Sequence, residues 1–524
     1  MVAGSELSID GNATAVTMAE TIFGDGVTVV GASYTGDNRS SGTYSGGDTT
    51  SPGVTPGDTG VILSTGRTRD FTQSWGDSNH SSSTSTNTSG QNNNADFNAA
   101  AGARTYDASY LDVDFIPTGD TMTMQFVFSS EEYPEYVNSL YQDFVGVWVN
   151  GTQVELSIGN GDADPGNLNS GNNQNLYVDN TADQYNTEMD GFTVTMTLTM
   201  TVVPGVVNSI RIGIADVSDS SYDSNLLIAG DSVQTVLIAN DDATHLTALQ
   251  TKTIDVLGND INTSGNSLTI TQVNGVDVVA GDTVVLTTGQ SVTLNVDGTL
   301  TMVGDGTDED FNFTYLIDDG VNTDTGYVIV NSIPCFVSGT RILTPDGEVQ
   351  VETLRAGDLV MTQDEGAQPL RWIGQRQVAA TGDFAPIRIA ENTFGKHREL
   401  MVSPLHRVLI RDVVAELLFG ETEVLVAAKD LVNDRSVRRI EGGTVDYVHI
   451  LFDRHQVVIS EGLETESFLP GPQTTKSLEA EIVNEICTIF PELDPDTGAG
   501  YGAAARRTLR GFEARLLLSE RQAA

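Results

Sequence analysis

The 524-residue sequence predicts an all-β, multidomain protein: a β-sandwich, an immunoglobulin-like sandwich and a further compact all-β domain, closed by a short helical tail. Three observations carry this expectation. Apolar and polar residues alternate with period two through much of the chain, Gly, Asn and Asp punctuate the alternating runs, and the composition changes at Cys335, one of only two cysteines. Alternation with period two is what a strand needs to bury one face, and the punctuating residues are those that turn the chain. The expected segments are 1–238, 239–334, 335–470 and 471–524.

Charge narrows the classes of partner. The chain carries 26 Lys and Arg against 72 Asp and Glu, a formal charge of -46, so nucleic acid and anionic membrane are excluded by simple repulsion. The imbalance is local: only 6 of the basic residues but 43 of the acidic ones precede Cys335. No run approaches the roughly 20 apolar residues needed to span a bilayer. The start, MVAGSELSIDGNATAV, lacks the basic and apolar regions of a cleavable leader. Two cysteines make no disulfide framework. An acidic, cysteine-poor front suits an extracellular or cell-surface bacterial location, reached through an uncleaved carboxy-terminal export signal.

In the first segment, TMTMQFVFSS (121–130), DFVGVWVNGTQVELSIG (143–159), FTVTMTLTMTVV (192–203) and SIRIGIADV (209–217) read as sandwich strands. Residues 76–94, GDSNHSSSTSTNTSGQNNN, offer no apolar area to bury and are expected to be a mobile insertion. Two acidic groups stand out: Glu131, Glu132 and Asp143 around one strand end, and Asp216, Asp219 and Asp223 on one loop. Hard cations take oxygen ligands from several chain segments, so calcium bound here is one reading and solvated acidic loops the other. The EF-hand spacing is absent. These stretches, with GVILSTG (60–66), resemble the choice-of-anchor L domain over about 14–238. That resemblance implies a β-sandwich with a binding or display role and names no ligand; a cell-surface glycan or protein is the partner expected of an adhesin.

The second segment, with its NDD opening, DVLGNDIN and closing FTYLIDDG, resembles the cadherin-like repeats of large bacterial adhesins. It is expected to be an immunoglobulin-like spacer. Asp241, Asp242, Asp255, Asp260, Asp318 and Asp319 would bind calcium at the domain junctions on one reading; a purely structural spacer is the other.

From Cys335 the texture is β with an ordinary charge balance. TRILTPDGEVQVETL holds a Pro-Asp-Gly turn between two alternating runs, a hairpin signal, and further strands follow at LVMTQ, PLRWIGQRQV, PIRIA, ELMVSPLHRVLIR, EVLVAAKDLV, VRRIEG and VDYVHILFDRHQVVIS. A cysteine that opens a domain has chemistry within reach. Its Sγ can attack the preceding carbonyl, that of Pro334, through a five-membered ring, moving the acyl group from nitrogen to sulfur; a histidine can serve the departing nitrogen as proton donor.

CFVSGTRILTPDGEVQVETLRAGDLVMT, LMVSPLHRVLI and YVHILFDRHQVVI resemble, in order, the motifs of Hint domains, the hedgehog/intein autoprocessing modules, over about 335–470. The resemblance implies Cys335 as nucleophile, Pro334 at the scissile bond, His406 as the donor activating the amide, Ser403 in place of the family's usual Thr, and His455 as the late-motif histidine. Asp453, His449 and Thr340 are supporting neighbours. Val448 follows Tyr447 where the family usually has an acid, and no terminal His-Asn precedes a Cys, Ser or Thr. Cleavage or acyl transfer is therefore expected in place of splicing. The chain's own front segment would be the substrate, water or a small nucleophile the acceptor, and no cofactor would take part. A Hint fold without activity, in a calcium-stabilised adhesin, is the alternative.

In the tail, KSLEAEIVNEICTIF and RRTLRGFEARLLL show helical periodicity, with Cys487 on the apolar side of the first helix.

Overall fold

The computed structural model describes residues 2–524 except 138, 160, 245, 247–250, 306–310, 331–334, 381–384, 434, 470–485, 487–489, 491–500, 502–503, 510–513, 515–516 and 519–524. It forms two compact units. One comprises Met1–Asp242, Lys252–Met302 and Phe311–Val328; the other comprises Ala243–Thr251, Val303–Asp310 and Ile329–Ala524.

The first unit is built on two antiparallel sheets of eight and five strands. In the larger, Thr121–Ser130 pairs with Ser224–Ala229 on one side and with Met196–Thr201 and Gly191–Thr193 on the other. In the smaller, Asn208–Val217 lies between Thr105–Pro117 and Phe144–Val149. Alternation in TMTMQFVF predicts one wet face, yet the strand is buried on both from Met122 onward. The second covering layer comes from the spacer segment: Gln125 Nε2 donates to Thr323 O at 2.7 Å, and Thr197 Oγ1 donates to Asp324 Oδ1 at 3.2 Å. On that face Gln125 and Thr197 are buried with partners, whereas Thr123 Oγ1 and Ser129 Oγ have none among the described residues.

The spacer segment itself contributes one sheet containing Phe311–Asp318 and Thr323–Val330 and another containing Ser291–Leu294 and Leu300–Val303. Val292, Leu300, Met302, Phe313 and Ile317 are buried within it.

The polar stretch 76–94 is not loose. Its backbone amides are spent on buried carboxylates: Ser81 N donates to Glu188 Oε1 at 2.8 Å, Thr86 N to Asp223 Oδ1 at 2.6 Å and Thr88 N to Asp107 Oδ2 at 3.0 Å. Apolar burial is the wrong criterion for such a segment, since charge-assisted hydrogen bonds anchor it instead.

In the second unit, the Pro-Asp-Gly signal gives the expected hairpin, Arg341–Thr344 against Gly347–Gln350, with Gly347 at φ 117. A six-stranded sheet runs in the order Trp372–Ala379, Thr444–Leu451, Phe336–Val337, Leu400–Val402, Ile387–Ile389, Val437–Arg439. A second sheet contains the hairpin together with Val457–Ser460, Leu463–Glu466, Arg407–Arg411 and Glu423–Ala427. Phe336, Val402, Val448 and Ile450 join one apolar cluster with Ile342, Val408 and Val458 of the second sheet.

Most of the tail, including Cys487, lies outside the described residues. Where it is described it differs from a purely helical expectation: Arg507–Thr508 forms a short strand parallel to Val424–Leu425, and Leu509, Ala514 and Leu517 enter the apolar core of this unit. Pairing with the strand edge overrides local helical periodicity here.

Candidate active site

The strand Phe336–Val337 is two residues long and lies in the middle of its sheet. Phe336 is paired with Val402 on one side and with Val448 on the other. One step back along both antiparallel ladders, Cys335 falls opposite Ser403 and opposite His449, and residues directly opposite share a face. Side-chain positions agree. Cys335 N donates to Ser403 Oγ at 2.7 Å, Ser403 N donates to Cys335 O at 2.9 Å, and Cys335 Sγ lies 3.4 Å from His449 Nε2. The thiol is buried, as are both partners.

Period two sends Phe336 into the core between the sheets and Cys335, Val337, Tyr447 and Leu451 to the opposite face. That face has its own apolar cluster, completed by Trp372, Phe468 and, from the tail, Ile486, Phe490 and Tyr501. His449 is stacked on Trp372 and meets Phe468 edge-on, with centroids 6.4 and 5.7 Å away. Tyr501 OH donates to Phe452 O at 2.7 Å, which ties the cover to the strand end. Burial raises Tyr447, and the nearby Cys335 sulfur adds to the effect.

His406 sits elsewhere in the same neighbourhood. It follows the turn in which its own N–H donates to Ser403 O at 3.1 Å, and its ring meets Phe336 edge-on at 4.4 Å. Neither ring nitrogen has a hydrogen-bond partner among the described residues. Burial, only partly offset by the charge of Glu466, holds its pKa down at about 4. His406 is therefore a neutral imidazole near pH 7.

His455 belongs to a different network. Its Nδ1 accepts from Ala505 N at 2.9 Å, so the ring proton is on Nε2, which lies 3.3 Å from Glu466 Oε2 and 3.2 Å from Ser467 O. Glu466 also pairs with Arg407, Nη1 to Oε2 at 3.0 Å. Burial pushes that carboxyl up, but Arg407 and His455 outweigh burial and hold it at about 2. Asp453 is 55% exposed and pairs with Arg371 at 2.7 Å, so it faces solvent. Thr340 Oγ1 donates to Val337 O at 2.7 Å, closing the turn that follows the Cys335 strand. Pro334 lies outside the described residues. Sequence reasoning did not single out Glu466, Trp372 or Phe468; no local motif marks a residue whose role is fixed by strands far away in the chain.

In the first unit the acidic candidates are mostly buried. Asp143 N donates to Glu132 Oε2 at 2.9 Å, and Asp143 itself accepts from Ser224 Oγ at 2.7 Å and from Val217 N at 3.2 Å. Glu131 has both carboxyl oxygens without a hydrogen-bond partner among the described residues, as are Asp216 Oδ1 and Asp223 Oδ2. Burial is the leading cause of raised pKa values throughout, pushing Glu131 to about 10 and Asp223 to about 6 and raising Glu132, Asp143 and Asp216. Asp219 is half-buried and accepts from Ser221 N at 3.0 Å in its own loop. Among the described residues, no three or more His, Cys, Asp or Glu side chains are gathered in a metal-holding arrangement.

Cys335 thus precedes a central strand of an all-β domain, with its amide and its thiol each engaged by a neighbouring strand. Residues 334–472 match the family described as the Hint domain, and residues 8–234 match the Choice-of-anchor L domain. The chain thus carries a choice-of-anchor L domain followed by a Hint domain. Among solved structures, the gp41-1 intein is similar at 12% identity and a TM-score of 0.17, covering 26% of this chain and 98% of the intein. A substituted form of that intein gives 12% identity and 0.17 over 25% and 98%. No curated protein matches the chain in sequence. No helix among the described residues is long and apolar enough to cross a membrane.

Proposed function

We propose that the Hint domain cleaves its own chain between Pro334 and Cys335. The observation that carries this reading is the contact of Cys335 Sγ with His449 Nε2 at 3.4 Å, beside the bond from Cys335 N to Ser403 Oγ at 2.7 Å. His449 takes the thiol proton; Sγ attacks the Pro334 carbonyl carbon; the carbon–nitrogen bond breaks, and the amide nitrogen leaves as an amine after gaining a proton. The Ser403 hydroxyl, which accepts from Cys335 N, relays that proton: it gives its own as the nitrogen loses its conjugation and turns from donor to acceptor, and regains one from the imidazolium of His449. His406, neutral near pH 7 beside Phe336, takes no part in this proton transfer. Water, or a small amine, thiol or alcohol, then attacks the thioester, releasing the front segment as an acid or adduct and restoring the thiol.

The acceptor has to reach a buried sulfur, so the second step is expected to be slower than the first. Hydroxylamine tests the intermediate. A thioester yields a hydroxamate on the Pro334 carboxyl, readable by mass; hydroxylamine-treated protein that remains whole would overturn the proposal.

The presence of a choice-of-anchor domain supports an exported or surface-held protein, displaying the front unit until the Hint domain releases it. Export through the tail is part of this proposal.

A further inference from the structure

The outer face of the five-stranded sheet in the first unit holds a groove of about 760 Å³, within the size range of small-ligand sites. One cross-strand row supplies much of it: Ser33 opposite Asp112, Asp112 opposite Arg211, Arg211 opposite Trp148 and Trp148 opposite Gln153. Two residues along, Gly31, Asp114 and Ser209 form a second row on the same face.

The centre of the groove is held rigid. Arg211 Nε donates to Asp112 Oδ1 at 2.7 Å, its Nη1 donates to Asp96, and its guanidinium lies 4.5 Å from the Tyr110 ring centroid. Trp148 is propped edge-on by Phe97 at 4.9 Å. These contacts pair one guanidinium with two carboxylates and fix an indole beside it. Around them, Asp114, Gln153, Ser33 and Ser209 line the groove and make no side-chain hydrogen bond or ion pair among the described residues.

Gly31 leaves the floor of the groove open. It lies inside the strand Val27–Thr35, where glycine weakens pairing, and a Cβ there would meet nothing within 4 Å. Its φ is not in the left-handed region, and the strand shifts register between Val29 and Gly31, an irregularity that glycine accommodates. A glycine inside a strand also suits the close approach of a ligand.

We propose that this groove binds a neutral glycan. Hydroxyls both donate and accept, matching a free carboxylate, an amide and two serines around a guanidinium. Anionic ligands are disfavoured by three carboxylates against one guanidinium. A single unpaired carboxylate is too little charge to select a polycationic peptide.

The test uses the full chain against neutral hexasaccharides of glucose, mannose, galactose and N-acetylglucosamine, with pentalysine as a control, by calorimetric titration. At least one hexasaccharide is expected to bind. Gly31→Leu, which fills the floor, and Asp114→Ala are each expected to weaken it by about tenfold or more with the melting temperature unchanged. Binding of no hexasaccharide, binding unaffected by both substitutions, or binding of pentalysine alone overturns the proposal.

Discussion

His406 gives a prediction whose size follows from burial. Its pKa is held at about 4 in the folded protein against an ordinary 6.5, chiefly by desolvation. Between those values the unfolded chain binds a proton that the folded one refuses, so stability falls as pH drops. The full effect below about pH 4 is roughly 3 kcal/mol, of which about 2 kcal/mol falls between pH 6.5 and 4.5. His406→Gln removes the titrating group. Urea unfolding of the Hint domain, read by pulse proteolysis in a Cys335→Ala background, would be compared with and without this second change. The parent should lose about 2 kcal/mol more than the variant over that interval. Equal losses would mean that His406 takes up its proton in the folded state and is not the neutral, desolvated group described.

His449→Gln should slow thioester formation by about 10²–10⁴, the usual contribution of a positioned general base, measured as the rate of hydroxamate appearance. Ser403→Ala leaves a buried amide without its acceptor, at a cost of about 1–3 kcal/mol, and should lower both melting temperature and cleavage rate. The cover over the thiol predicts that Phe490→Ala with Tyr501→Ala, in a Cys487→Ser background, speeds labelling of Cys335 by a water-soluble disulfide reagent; unchanged labelling would remove the tail as a barrier. For the front unit, we propose that calcium draws the buried acids near Glu131 and Asp143 together; titration after chelator treatment should then show heat and a raised melting temperature, and the absence of both would remove calcium from the account.

Much of this architecture was legible because strands advertise themselves by alternation and turns by chemistry. Pro345, Asp346 and Gly347 marked a hairpin that the structure contains, and the composition break marked the cysteine. Register across long separations was not legible. Nothing near Cys335 says that Phe336 pairs with both Val402 and Val448, yet that pairing selects His449, and not His406, as the residue touching the sulfur. Buried charge was equally hidden: Glu466 reads as a surface residue in GLETESF, and its burial with His455 and Arg407 follows from strand packing alone. The helix Val413–Phe419, capped by Asp412 and Gly420, was masked by the β texture around it, although both caps are visible in the sequence. The stretch 76–94 was misjudged because its anchors are carboxylates contributed by distant strands.

The most direct test of self-cleavage is the intact mass of freshly purified protein over time, with and without dithiothreitol, beside Cys335→Ala. The account predicts fragments that break between Pro334 and Cys335, appear faster with the thiol and are absent from the variant. A single unchanged mass in every sample, or the same fragments from Cys335→Ala, would contradict it.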